Sequence, residues 1–133
     1  MDTRTIETTV WPTLIYADAR AALRFLAEAF GFEETLVVPG EGDGVVAHAE
    51  LRWPLGGGVM LGSVRGDGLL GEKHAGAGSV YVVTDEPDAL FARATAAGAE
   101  VALELDDTSY GARSFTVRDP EGNLWTFGTY KGA

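Results

Sequence analysis

The clearest alternation of apolar and polar positions lies near the C-terminal end of the chain, within residues 110–130. Phe115 and Val117 alternate with polar neighbours, which is the two-residue period of a half-buried strand. The segment Asp119 to Gly122 (Asp-Pro-Glu-Gly) fits a type I turn, because proline presets φ and aspartate accepts from the backbone two residues on. Aromatic and β-branched residues resume at 124–130. The pattern therefore predicts a β-hairpin.

The rest of the chain reads as two copies of one order, strand–helix–strand–strand–strand. The first copy comprises a strand at 10–16, a helix from the N-cap Asp18 to a left-handed cap at Gly31, and strands at 34–39, 45–53 and 59–64. The second comprises a strand at 79–84, a helix from the N-cap Asp85 to Gly98 with Pro87 in its first turn, and strands at 100–105, 113–117 and 124–128. Without gaps, Asp18 and Gly31 superimpose on Asp85 and Gly98. The sequence predicts an α+β fold with one domain, made of modules 10–64 and 79–130 and a glycine-rich connector at 65–78.

Composition and charge narrow the classes of function. The 133 residues include no cysteine, which excludes a disulfide framework and a thiolate nucleophile. Ten basic and twenty acidic residues give a formal net charge of −10, which repels nucleic acid and anionic lipid and attracts a cationic ligand. Neither a signal peptide nor an apolar run of membrane-spanning length is seen, so we expect a cytoplasmic protein.

The predicted hairpin has a distinctive sequence. An aromatic-Gly-x-Arg strand (residues 110–113), an Asp-Pro-x-Gly turn (residues 119–122) and an aromatic closing strand resemble the last hairpin of the vicinal oxygen chelate superfamily. This is the glyoxalase, bleomycin-resistance and extradiol dioxygenase group, and the resemblance covers nearly the whole chain. It implies two βαβββ modules whose curved mixed sheets form a ligand-binding cleft, with helices on the convex faces. It also implies a homodimer, often with modules contributed across chains.

The resemblance bears directly on metal binding. Metal-dependent members hold one divalent ion on four cleft-facing positions, usually His, Gln or Glu. The resemblance places these positions at Trp11, Met60, Ser79 (or Gly78 when the two modules are overlaid without gaps) and Thr126. Indole offers no lone pair, a thioether suits soft copper, and a neutral hydroxyl is a poor ligand. We therefore expect the standard metal site to be absent and predict no cofactor.

An alternative metal site remains open. His48 and Glu50 share one face of a predicted strand, because positions i and i+2 point the same way. With His74 from the connector they form a two-His, one-carboxylate set suited to Fe(II) or Zn(II), which would indicate a glyoxalase-like lyase, isomerase or dioxygenase. The other interpretation is that His48 and Glu50 hydrogen-bond to each other or to Arg52.

Strand parity predicts which residues line the cleft. We expect Phe115 to pair with Thr126 across the hairpin, which places Arg113 on the same face. The predicted ligand-binding residues are Trp11, His48, Glu50, Met60, Ser79, Tyr81, Tyr110, Arg113, Phe115 and Thr126. Aromatic side chains, an adaptable methionine and a few polar groups are typical of a pocket for a planar or amphipathic organic molecule. The sequence thus favours a metal-free binding protein, similar to the bleomycin-resistance branch, that sequesters an aromatic or cationic compound without catalytic residues.

Overall fold

A computed structural model describes residues 8–64 and 75–132. The first module comprises β1 (Thr13–Tyr16), α1 (Ala19–Phe25) continued by a π-helical turn (Leu26–Phe30), β2 (Glu33–Pro39), β3 (Val46–Arg52) and β4 (Gly58–Ser63). The second comprises β5 (Ser79–Val83), α2 (Pro87–Ala96), β6 (Glu100–Asp107), β7 (Arg113–Arg118) and β8 (Leu124–Gly128). In the described part of the chain, no helix is both long and apolar enough to cross a membrane.

The two modules have the same topology. One four-stranded sheet has the order β1-β4-β3-β2 and the other the order β5-β8-β7-β6. In each sheet the first strand of the module pairs in parallel with the last, and the remaining pairs are antiparallel. The predicted α+β class with two βαβββ modules is therefore confirmed. As domain limits, 10–64 and 79–130 stay a prediction.

The helix caps follow the sequence with one exception. The Asp18 side chain accepts a hydrogen bond from the backbone three residues on, and Gly31 ends the π turn with a φ of 91°, as predicted. The N-cap expected at Asp85 is wrong: α2 has its N-cap at Glu86 and begins at Pro87. The hydroxyl of Thr84 accepts from the Glu86 N–H, so the chain turns one residue later.

This difference shows where the two modules depart from a strict repeat. The helices begin 68 positions apart, at Ala19 and Pro87, whereas the glycines that follow them, Gly31 and Gly98, are 67 positions apart. The first module therefore contains one additional residue between these points. A π turn accommodates a single inserted residue within a helix, and the turn at Leu26–Phe30 is where that residue is absorbed.

The helix-covered faces of the two sheets share one hydrophobic core. The Phe30 ring, at the end of the π turn, lies 5.3 Å from Trp125 and 4.7 Å from Phe127 in β8. Trp53, which follows β3, lies 4.9 Å from Phe32 and 5.9 Å from Phe127. All but Trp53 are almost completely buried. Because this core lies between the modules, the opposite face of each sheet, here called its open face, points away from it.

Polar contacts also join the modules, and they are reciprocal. The Tyr16 hydroxyl at the end of β1 donates to Asp119 in the β7–β8 turn at 2.6 Å. Glu121 in the same turn accepts from the two backbone N–H groups that precede α1, at 2.6 and 2.7 Å. In the other direction, the Trp53 indole N–H at the β3–β4 turn donates to the Val83 carbonyl of β5 at 2.9 Å. The hairpin turn of each module thus holds the first strand of the other.

Asp119 is the centre of the first of these contacts. Its carboxylate accepts from the backbone N–H groups of Glu121 and Asn123, from the Asn123 amide, from the Trp125 indole and from Tyr16. The bond from Glu121 is the one predicted for this turn. Burial, followed by the charge of Asp119 and the hydrogen bond to it, raises the pKa of the Tyr16 phenol far above its usual value.

Candidate functional site

The open face of the first sheet carries four of the predicted site residues. Ala49 and Leu51 of β3 are fully buried, so the residues that alternate with them, His48, Glu50 and Arg52, face outward, as the sequence predicted. Cross-strand pairs place Met60 between Thr13 and Glu50. The side chains that share this face are Trp11, Thr13, Ile15, Leu36, Val38, His48, Glu50, Arg52 and Met60.

Trp11 lies at one end of this face and already contacts a cation. The Arg52 guanidinium is stacked 4.7 Å from the centre of the indole, and it also donates to Thr8 at 3.0 Å. The ring crosses β4 at Gly58, where a Cβ atom would stand only 2.8 Å from a ring carbon. The lack of a side chain at Gly58 therefore leaves room for the indole, which is half-buried and has a cation–π partner beside it.

His48 and Glu50 bind each other. Their side chains meet at 2.8 Å (His48 Nε2 to Glu50 Oε2), and they are 39% and 26% exposed. This is the hydrogen-bonded arrangement that the sequence offered as the alternative to metal binding. The third member of the metal set, His74, lies outside the described residues. Within residues 8–64 and 75–132, no three His, Cys, Asp or Glu side chains are grouped to hold a metal ion.

The open face of the second sheet carries Ser79, Tyr81 and Thr126. Tyr81 pairs with Thr126, and the Thr126 hydroxyl is hydrogen-bonded at 2.7 Å to that of Thr116, its partner in β7. A hollow of about 360 Å³ lies between β6 and β7, with Thr116 in its wall together with Leu103, which is 65% exposed. This face is therefore a hydroxyl-rich surface with an apolar margin.

Three tyrosines cluster at one end of the second open face. The Tyr81 ring crosses β8 above Gly128, and its hydroxyl donates to the Tyr130 carbonyl at 2.7 Å. The Tyr110 and Tyr130 rings meet edge to face at 5.7 Å. Burial, with a smaller effect of Tyr110, raises the pKa of the Tyr81 phenol. All three side chains are 46% exposed or more, so the cluster presents aromatic surface to solvent.

The placement predicted for Arg113 and Phe115 is wrong. The Asp119 N–H bonds to the Asn123 carbonyl, so the loop closes with Arg118 paired to Leu124. Phe115 consequently pairs with Phe127, on the core side of the sheet, and is 1% exposed. The expected register, with Phe115 opposite Thr126, was displaced by one position, which reverses the face of every side chain.

Arg113 shares the core side of β7 with Phe115 and is the first residue of that strand. Its guanidinium donates to Asp88 of α2 at 2.9 and 3.2 Å and to Asp107 at 3.1 Å. The hydrogen bond from Arg113 lowers the pKa of the Asp88 carboxyl. Arg113 therefore joins α2 to the second sheet and does not line the open face.

Sequence reasoning missed two residues that belong to these faces. Thr116 occupies the position expected for Phe115, and only the loop length, set by Asn123, could have indicated the shift. Tyr130 lies beyond the predicted closing strand (124–128), follows β8 and contacts Tyr81 and Tyr110. The sequence feature that could have indicated this role is an aromatic residue two positions after Gly128, the glycine that ends the strand.

Comparisons with known proteins agree with this architecture. The family model of the Glyoxalase/Bleomycin resistance protein/Dioxygenase superfamily matches residues 8–127. The chain therefore belongs to this superfamily, as the hairpin sequence indicated.

Among similar solved structures is TioX from Micromonospora sp. ML1, which is 34% identical, covers 93% of this chain and 98% of TioX, and has a TM-score of 0.75. A glyoxalase/bleomycin resistance protein from Catenulispora acidiphila is 23% identical over 92% of this chain and 97% of its own, with a TM-score of 0.66. A relative in Mycobacterium bovis, an uncharacterized protein, is 34% identical over 92% of this chain and 84% of its own length.

Proposed function

We propose that this protein is a metal-free small-molecule-binding protein, similar to the bleomycin-resistance branch of its superfamily, that sequesters an aromatic or cationic compound. The binding surface is formed by the two open faces. Binding is by stacking on aromatic rings and by contact with hydroxyl groups, and no reaction is assigned to the site.

The observation that carries this proposal is the nature of the four positions where related metalloproteins hold an ion. Trp11 and Met60 lie on the first open face, and Ser79 and Thr126 on the second. None is a good ligand for a hard or borderline divalent ion. Trp11 instead holds the guanidinium of Arg52 against its ring, so it already makes the type of contact that binds a cationic or planar ligand.

The acidic charge of the chain favours a cation. The formal net charge is −10. Close to the second open face, β6 ends with the exposed residues Asp106 and Asp107, and Glu104 is exposed in the same strand. A field of this sign raises the local concentration of cationic ligands and speeds their association.

A homodimer is part of the proposal. Within one chain the open faces point away from the shared core, so a cleft that contains both faces requires the second face to come from another copy. Each face also leaves apolar side chains uncovered: Leu36 and Val38 are 43% and 40% exposed on the first, and Leu103 is 65% exposed on the second. Burying such surface between two copies stabilises the dimer.

The experiment is a thermal-shift titration with proflavine, a planar aromatic cation, beside naphthalene sulfonate, a planar anion. A ligand that binds only the native state raises the melting temperature. We expect proflavine to raise it, Trp11→Ala to weaken binding about tenfold, and Trp11→Phe to restore part of the affinity, because stacking is worth about 1–2 kcal/mol where desolvated. Equal affinity in the wild type and Trp11→Ala would refute stacking on Trp11.

The dimer is tested separately by sedimentation velocity over a range of protein concentrations. We expect a dimer that carries bound proflavine. A protein that remains monomeric while it binds proflavine with full affinity would show that one open face is sufficient and that the cleft between copies does not form.

A further inference from the structure

A cavity of about 580 Å³ lies between the two modules, apart from both open faces. Its walls are the β3–β4 turn, the strand β5 and the segment before β1. The apolar residues around it are Val10, Pro12, Phe32, Trp53, Leu55, Val59, Val80, Val82 and Val83. Of the predicted ligand-binding residues, Tyr81 alone contributes to it. This volume is in the range of small-molecule pockets, about 300–1,000 Å³.

One wall of the cavity is the edge of β5 that faces away from β8. The Leu124 N–H donates to the Gly78 carbonyl, and the Thr84 N–H donates to the Gly128 carbonyl. The backbone N–H and C=O groups of successive residues point alternately to the two edges of a strand. In β5, the backbone groups of the even-numbered residues therefore point toward β8. Tyr81 and Val83 therefore point their backbone groups to the opposite edge.

The two ends of this edge are not alike. The Val83 carbonyl accepts a hydrogen bond from the Trp53 indole, which closes the edge at that end. Neither the N–H nor the C=O of Tyr81 has a hydrogen-bond partner among the described residues. An unpaired donor and acceptor on one residue, next to an apolar cavity, form a two-point recognition element, because the two groups of an extended residue point in the same direction.

We propose that this cavity is a second small-molecule site, which binds a flat, neutral aromatic compound bearing a neighbouring donor and acceptor, such as a lactam or an amino-substituted heteroaromatic ring. The donor pairs with the Tyr81 carbonyl and the acceptor with the Tyr81 N–H. The ring packs among Val80, Val82 and the half-buried Trp53.

The part of the β5 edge that is available is long enough for a small molecule but too short for a peptide strand. An added strand needs several successive backbone pairs, whereas the indole of Trp53 already occupies the edge at Val83. The β3–β4 turn faces the same edge, and its residues 56–58 are glycines. A Cβ at Gly56 or Gly57 would meet no atom within 4 Å, so the absence of side chains leaves room beside the edge for a flat ring.

The charges at the cavity favour a neutral ligand. The charged side chains that line it are Asp85 and Lys131, with opposite signs, and the other lining residues are apolar residues, glycines and Tyr81. This environment differs from the acidic surroundings of the second open face. The cavity and the open faces are therefore expected to take different ligands, and this site does not depend on the proposed function.

The test uses carbostyril, a bicyclic aromatic lactam, and N-methylcarbostyril, which has the same ring without the N–H donor. Binding is followed by proton–nitrogen correlation NMR of the full chain. We expect carbostyril to shift the Tyr81 amide resonance with saturation, and N-methylcarbostyril to bind about tenfold more weakly or not at all, because it leaves the Tyr81 carbonyl unpaired.

Matched variants locate the ligand. Val80→Phe fills the cavity and is expected to lower carbostyril affinity about tenfold, whereas Val101→Phe makes the same change at another half-buried position, in β6, and leaves affinity unchanged. Met60→Ala, on the first open face, is also expected to leave it unchanged. No saturable binding, equal binding of both lactams, or resonance shifts confined to the open faces would overturn the proposal. If Val80→Phe does not fold, the comparison of the two lactams on the wild type decides.

Discussion

The Tyr16 hydroxyl donates a 2.6 Å hydrogen bond to Oδ2 of Asp119, across 103 positions of sequence. Tyr16 is fully buried and Asp119 is 5% exposed, so neither can exchange the partner for water. This bond lies where the first strand of one module meets the hairpin turn of the other. Removing it therefore measures how much this contact contributes to holding the modules together.

Replacing Tyr16 with phenylalanine should destabilise the protein by about 1–3 kcal/mol, because a buried carboxylate loses one of its donors. Chemical denaturation measures the change. Tyr110→Phe is the matched control, since that side chain is 68% exposed and its removal of a hydroxyl should cost little. Equal effects of the two changes would show that the Tyr16–Asp119 bond contributes nothing to stability.

The same bond predicts a sensitivity to alkali. The pKa of Tyr16 is raised in the folded state above its usual value of 10.0, so the folded protein holds this proton more tightly than the unfolded chain does. Its contribution is present below pH 10 and is lost as the pH rises above that value. The stability difference between the wild type and Tyr16→Phe should therefore shrink between about pH 9 and about pH 11. A constant difference over that range would contradict the assignment.

Arg113 is predicted to act in stability and not in ligand binding. Its guanidinium lowers the pKa of Asp88, so this pair stabilises the fold above the usual carboxyl value of 3.8 and ceases to do so as the pH falls below it. Arg113→Met should lower the denaturation midpoint slightly at neutral pH and low salt, and the difference should shrink as the pH falls below 3.8 and in high salt. Proflavine affinity should stay unchanged, and its loss would return Arg113 to the binding surface.

Gly128 is predicted to control the position of Tyr81. A Cβ at residue 128 would stand 2.7 Å from the Tyr81 hydroxyl and 3.0 Å from Cβ of Ser114. Gly128→Ala should displace the phenol and break its bond to the Tyr130 carbonyl, at a cost of about 1 kcal/mol. Tyr81→Phe removes the same bond, so the double variant should cost less than the sum of the two. Additive costs in this cycle would show that the two residues act separately.

The protein as purified should contain no stoichiometric divalent metal, and chelators should leave its melting temperature unchanged. The reason is that His48 and Glu50 are hydrogen-bonded to each other, and that Trp11 and Met60, which occupy two of the positions that the family resemblance assigned to metal, are poor ligands for a divalent ion. Elemental analysis measures the content. One zinc or iron per chain that is lost in His48→Ala would instead support the enzyme alternative, with His48 and Glu50 as ligands.

Much of the fold was predictable because its signals are local. Asp18 and Gly31 delimit the first helix through short-range hydrogen bonds and a positive φ, and Asp119 organises its turn within five residues. The assignment of His48 and Glu50 to the outward face of β3 followed from parity alone. These features require no knowledge of the distant parts of the chain.

The errors arose where a single residue changes the count. Asn123 closes the hairpin loop one position away from the expected register, which moved Phe115 into the core and brought Thr116 to the open face. The two helical segments, each counted from its first residue to the glycine that follows it, also differ in length by one residue, because the first contains the π turn. The N-cap of the second helix is therefore Glu86 and not Asp85, the residue that matches Asp18 when the modules are overlaid without gaps. Which faces of the modules meet was also beyond reach, because contacts such as Phe30 to Trp125 depend on docking and leave no periodic signal.

The core that Phe30 shares with Trp125 and Phe127 has a thermodynamic consequence. Each module supplies part of a single interior, so neither half can bury its own apolar surface alone, and folding of one half is coupled to its docking on the other. A substitution in β8 should therefore also destabilise α1 and the π turn that continues it. The chain should lose all its structure in one cooperative step, although its sequence repeats.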